Sequence, residues 1–162
     1  MDIHTPLSAD EIVNKINCNF IPYHQMMNIK DISDLFPKTL ILYELASVGH
    51  FCCVFENEEG VNFFDPLGIF PDDELFDMSP NRHILGYNFR YLDELLARQP
   101  QKVIYNNYQL QQHHTSTCGH WCTIRMIYGD LSNDEFVNCF KDLNGYDRDR
   151  LVVRMFNDIM DE

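Results

Sequence analysis

The run Phe51-Cys52-Cys53-Val54-Phe55 is apolar at every position. Side chains of a strand alternate between its two faces, so a strand with one wet face shows a polar residue at every second site. This run shows none, and it therefore has to be covered on both faces. Asn57-Glu58-Glu59-Gly60 follows as turn chemistry, and a second β-rich run occupies 61–65; together they read as a hairpin. A third run of the same character, 39–45, precedes them. A sheet buried on both sides needs helical layers from elsewhere in the chain.

Those helices are legible. Ser8-Ala9-Asp10-Glu11 is a capping box, and Ile12, Val13 and Ile16 follow at helical spacing, predicting a first helix over 8–17. The stretch 19–34 is mixed in character, with a short helix expected at 32–36 and stopped by Pro37. Pro66 and Gly68 end the third strand, and 71–81 reads as an acidic loop. Leu92, Leu95 and Leu96 form a helical stripe over 90–99 that Pro100 ends, and 102–105 reads as one more strand. A helix is expected over 118–128, with Gly129 as its C′ residue. Ser132 to Glu135 is a second capping box, opening a helix with Phe136, Phe140 and Leu143 on one face, and 148–159 is amphipathic. Strands in the middle and helices at both ends predict one α+β domain over 1–162, a central mixed or antiparallel sheet flanked by helices.

Composition narrows the function. The net charge of −13 disfavours a phosphate backbone as ligand; the nearest basic grouping, Arg148, Arg150 and Arg154, is too sparse to offset it. An acidic surface suits solubility, a monomer and a basic protein partner. No apolar run approaches membrane-spanning length. The six cysteines (Cys18, Cys52, Cys53, Cys118, Cys122 and Cys139) follow a polar 1–10 segment without a leader-like run, so reduced thiols in a cytosol-like compartment are expected. Most read as small core hydrophobes.

One cysteine stands apart. Cys118 opens a helical run and is preceded by the amides of Gln111 and Gln112. A nucleophilic thiolate needs a helix N-terminus or a nearby cation, a base, and a donor for the oxyanion. His50 lies in the otherwise apolar strand and Asp65 ends its partner. The hairpin register places the two opposite or diagonal on one face, within reach of a hydrogen bond. Base, orienter, oxyanion donor and nucleophile then occur as His50, Asp65, a glutamine and Cys118, with no cofactor required. Gly119 would leave room for a substrate backbone, and Trp121 would pack inward. A rival use of the stretch is zinc, through His113, His114, Cys118, His120 and Cys122, although this spacing matches no common structural zinc pattern.

Gly49-His50-Phe51, Phe63-Phe64-Asp65-Pro66-Leu67-Gly68, Leu110-Gln111 and Ser116-Thr117-Cys118-Gly119 together resemble the adenovirus-type maturation proteases, the adenain-like family. Asp10 to Ile16 is similar to that family's first helix, so the likeness spans about 8–130. The family shares a clan with proteases of ubiquitin-like modifiers and uses His, an acid, Gln and Cys in this order. The resemblance implies an adenain-like fold with His50 as base, Asp65 as its orienter, Gln111 as oxyanion amide and Cys118 as nucleophile. It also implies thiol endopeptidase activity after Gly-containing sequences in virion precursors, in host cytoplasm, a virus factory or the virion. The clan's two branches space their glutamine differently: the adenovirus spacing selects Gln111 and the modifier-protease spacing selects Gln112. Adenovirus members are basic and DNA-stimulated, which this acidic chain departs from. The alternative substrate is a conjugate of ubiquitin or a similar modifier.

Overall fold

A computed structural model describes residues 2–45, 48–77 and 89–162. Five strands form one sheet in the order β1 (Asn19–Pro22), β2 (Lys38–Leu45), β3 (Val48–Asn57), β4 (Gly60–Phe64), β5 (Val103–Tyr105). The two outer pairings, β1 with β2 and β4 with β5, are parallel, and the inner ones are antiparallel. The α+β class and the mixed sheet are as expected from the sequence. β1 is new: it is too short to carry a pattern and ends in a proline.

β3 is covered on both faces. Phe51, Cys53 and Phe55 enter a core with α1 (Ala9–Ile16), α4 (Cys118–Ile127), α5 (Asn133–Asn138) and α6 (Gly145–Met160). Cys52 and Val54 enter a second core with α2 (Asp73–Asp77) and α3 (Tyr91–Arg98). The alternation divides the strand's apolar side chains between the two layers, and burial of that kind is the main force holding helices to a sheet. Both capping boxes form: Ser8 and Ser132 each accept from the N3 amide, while Glu11 and Glu135 reach back.

Several expectations need correction. Part of the expected acidic loop is helical: α2 occupies Asp73–Asp77, while 78–81 lies outside the described residues. Gly129 does stand at C′, after the Tyr128 cap of α4, but without a left-handed φ, and its amide donates to Met126 O at 3.2 Å. α5 stops at Asn138, so Phe140 and Leu143 lie beyond it; Phe140 is buried and Leu143 is 37% exposed. The last helix starts at Gly145, three residues early, because Asn144 accepts from Asp147 N as its N-cap.

α2 is held firmly. Asp72, at φ 67°, donates its amide to Tyr43 Oη at 2.9 Å and accepts from that hydroxyl at 3.1 Å. Its other oxygen takes the Asp93 amide at 2.9 Å. One buried carboxylate thus ties β2, α2 and α3 together.

Candidate active site

The hairpin places the first two groups. Cys53 pairs with Phe64 and Asn57 with Gly60. Continuing that register by one step sets Asp65 across from Cys52, and His50 is two residues along the same face. This is the diagonal arrangement. His50 Nε2 and Asp65 Oδ1 are 2.9 Å apart, and both residues are buried. Asp65 Oδ1 also accepts the Leu67 amide at 2.8 Å. The turn that aims it needs Gly68, at φ 75°: its amide donates to Asp65 O at 2.9 Å, and a Cβ there would lie 2.9 Å from Tyr108 C.

Cys118 arrives from the other layer, as the first residue of α4. The Phe51 amide of β3 donates to its sulfur at 3.4 Å. Its thiol is also close enough to the His50 imidazole to raise that ring's pKa. With Nε2 committed to Asp65, Nδ1 is the ring atom left for sulfur. Burial pulls the His50 pKa down, but the Asp65 carboxylate and the Cys118 sulfur outweigh it and hold the pKa well above the ordinary histidine value. An amide donor, the positive end of a ten-residue helix and a cationic ring all face one sulfur, an arrangement complementary to a thiolate.

The two glutamines diverge. The amides of Leu110 and Gln111 both donate to Pro66 O at 2.9 Å, which anchors this loop beside Asp65. The Gln111 side chain is buried; its Nε2 donates to Thr115 O at 3.3 Å, leaving one N–H without a partner among the described residues. The Gln112 side chain packs against Gly145 at the start of α6, where a Cβ would meet it at 2.1 Å.

Gly119 has a different use from the one expected. Its missing Cβ would lie 3.1 Å from Ile12 Cδ1 and 3.3 Å from Phe51 Cδ2, so glycine there lets α1 and β3 close on α4. Trp121 is fully buried, as expected. The five proposed zinc ligands do not converge. Cys122 lies in the core, His120 stacks on Phe156, and His114 is exposed in a left-handed turn. The one grouping of potential metal-ligating atoms among the described residues is instead His50, Asp65 and Glu74, within 4.8 Å of one another. There Nε2 is already taken by Asp65.

Sequence reasoning missed Glu74 and Asp149. Glu74 Oε2 lies 3.6 Å from His50 Nε2. Asp149, buried on α6, accepts from Thr117 Oγ1, Trp121 Nε1 and Gln112 N at 2.6, 2.9 and 3.1 Å. An acid two positions after the helical Asp147 on an amphipathic helix carries no local signal of such a part.

The fold and this cluster define an α+β protein with a cysteine, a histidine and a carboxylate joined across two layers. The chain belongs to the same family as an uncharacterised protein, V9, of Sputnik virophage. It is 31% identical to V9 over 133 residues, covering 79% of this chain and 74% of that one. No family profile matches the chain. Among solved structures it is similar to the C-terminal Ulp1 protease domain in complex with Smt3, the yeast ortholog of SUMO. That likeness has a TM-score of 0.37 and 16% identity, covering 74% of this chain but only 60% of that domain, and at this level it carries no weight for activity. Among the described residues no helix is long and apolar enough to cross a membrane.

Proposed function

We propose that the chain is a cysteine peptidase in which Cys118 is the nucleophile, His50 the general base and acid, Asp65 its orienter and Gln111 the oxyanion amide. The observation that carries this reading is the His50 ring, bonded to Asp65 at 2.9 Å and electrostatically coupled to the Cys118 sulfur at the start of α4. Proton transfer from Cys118 to His50 gives a thiolate and an imidazolium. The thiolate attacks the scissile carbonyl, and the Cys118 amide with the free Gln111 N–H receives the oxyanion. His50 gives its proton to the leaving amine; it then takes a proton from the water that splits the thioester, and Cys118 leaves as thiolate.

The substrate is a protein segment thin enough to reach a buried sulfur, which favours small residues such as glycine at the cut. Two substrate classes fit this chemistry. A virion precursor accords with the virophage relative, although V9 has no assigned activity. A conjugate of ubiquitin or a similar modifier would be cut by the same chemistry. The deciding experiment uses a peptide library, a modifier C-terminal fusion and virion extract as parallel substrates, with cleavage sites read by mass spectrometry. Cleavage of any of them by the wild type, lost in both Cys118→Ala and His50→Ala with folding intact, is the expected result. Retained cleavage by Cys118→Ala ends the mechanism.

A further inference from the structure

A second carboxylate reaches the His50 ring. Glu74 Oε2 stands 3.6 Å from Nε2, on the short helix that the Tyr43–Asp72 contact fixes in place. Glu74 is 8% exposed, and its Oε2 has no hydrogen-bond partner among the described residues; the same holds for Asp65 Oδ2. A buried carboxylate oxygen without a donor is costly unless a charge offsets it. Among the described residues, the groups around His50 are Tyr43 across on β2, Cys52 along β3, Asp65 after β4, Glu74 on α2 and Cys118 on α4. None of these neighbours can carry positive charge. Arg90 pairs instead with Asp73, at 2.6 Å.

We infer that Glu74 is a positioning residue for His50, a second carboxylate that holds the imidazolium between itself and Asp65. At 3.6 Å it acts through charge, while Asp65 makes the hydrogen bond. The Glu74 carboxyl pKa is raised by burial; the His50 charge pulls it down, and the neighbouring Asp65 charge adds to the rise. The part given to Glu74 in catalysis rests on the peptidase reading; its coupling to the ring does not. One consequence is redundancy: a protein lacking the Asp65 carboxylate keeps a second acid beside the same nitrogen.

The test is the titration of the His50 ring by nitrogen-15 NMR in the Cys118→Ala full-length protein, with and without Glu74→Gln. Removing a nearby negative charge lowers a histidine pKa, so the His50 midpoint is expected to fall by roughly half a unit or more. It should fall again on adding Asp65→Asn. Should Glu74→Gln fail to fold, Glu74→Met, of similar volume, carries the same comparison. In the cysteine-containing protein, the acid limb of iodoacetamide capture at Cys118 should move to higher pH in Glu74→Gln, because a less stable imidazolium supports the thiolate less well. An unmoved His50 midpoint in a folded Glu74 variant overturns the inference. So does one equivalent of zinc that shifts the His50 resonance in the parent but not in the variant, which assigns the cluster to a cation. A shifted midpoint, together with a wild type that cleaves none of the three substrate sets, would leave the pairing standing and end the peptidase reading alone.

Discussion

The hydroxyl of Thr117, the residue before Cys118, donates to Asp149 Oδ1 at 2.6 Å. The same carboxylate receives the Trp121 indole and the Gln112 amide, so one acid on α6 fixes the start of α4 and the glutamine loop together. Asp149→Ala strands three donors in a dry layer. Each unsatisfied buried group costs about 1–3 kcal/mol, so a loss of roughly 3 kcal/mol or more is expected. Trp121, the single tryptophan of the chain, reports it directly in a urea titration followed by fluorescence. Asp149→Asn, which keeps one acceptor oxygen, should lose less.

Gln111 and Gln112 separate cleanly by substitution. Gln111→Ala removes an oxyanion donor and is expected to lower kcat/KM by on the order of 10²–10³ with little change in melting temperature. Gln112→Ala unpacks a contact with Gly145 and should leave turnover within a few-fold. The reverse pattern would move the oxyanion role to Gln112.

The pH dependence of turnover follows from His50. Its pKa is raised in the folded protein, so the imidazolium that protonates the leaving amine is present through neutral pH. Activity is lost as the pH rises through that raised value. Asp65→Asn removes the main raising influence and should move the alkaline limb of kcat/KM to lower pH, besides lowering its plateau.

His120 sets an acid limit on stability. It is buried against Phe156, its Nδ1 has no partner among the described residues, and burial pushes its pKa from 6.5 down to about 4. A base with a depressed folded pKa contributes stability above its unfolded value, and this is lost as the pH falls from 6.5 toward 4. The loss is about 3 kcal/mol at full protonation, from about 1.4 kcal/mol per unit. Urea midpoints of the wild type should fall across that window, and those of His120→Leu should fall less.

How much of this was legible depended on period and register. Phe51 to Phe55 announced a doubly covered strand, and the same hairpin register put Asp65 opposite or diagonal to His50, of which the fold adopts the diagonal. Cys118 was marked by standing at the head of an apolar helix. β1 escaped notice because four residues ending in Pro22 show no alternation and gain their order from β2 alongside. Glu74 escaped for a different reason. In the acidic stretch from Asp72 to Asp77, nothing local distinguishes the acid that turns inward, since Tyr43, far away in sequence, sets the helix orientation. Gly119 was legible as a close approach, but its partner proved to be Ile12.

The central claim is that His50 and Asp65 make Cys118 the reactive thiol, although Cys139 is the exposed one. Limiting iodoacetamide at pH 6, with each cysteine quantified by mass spectrometry, tests it most directly. Cys118 is expected to be modified ahead of Cys139 in the wild type, and that lead should vanish in His50→Ala. Capture of Cys139 first, or an unchanged order in His50→Ala, would contradict the account.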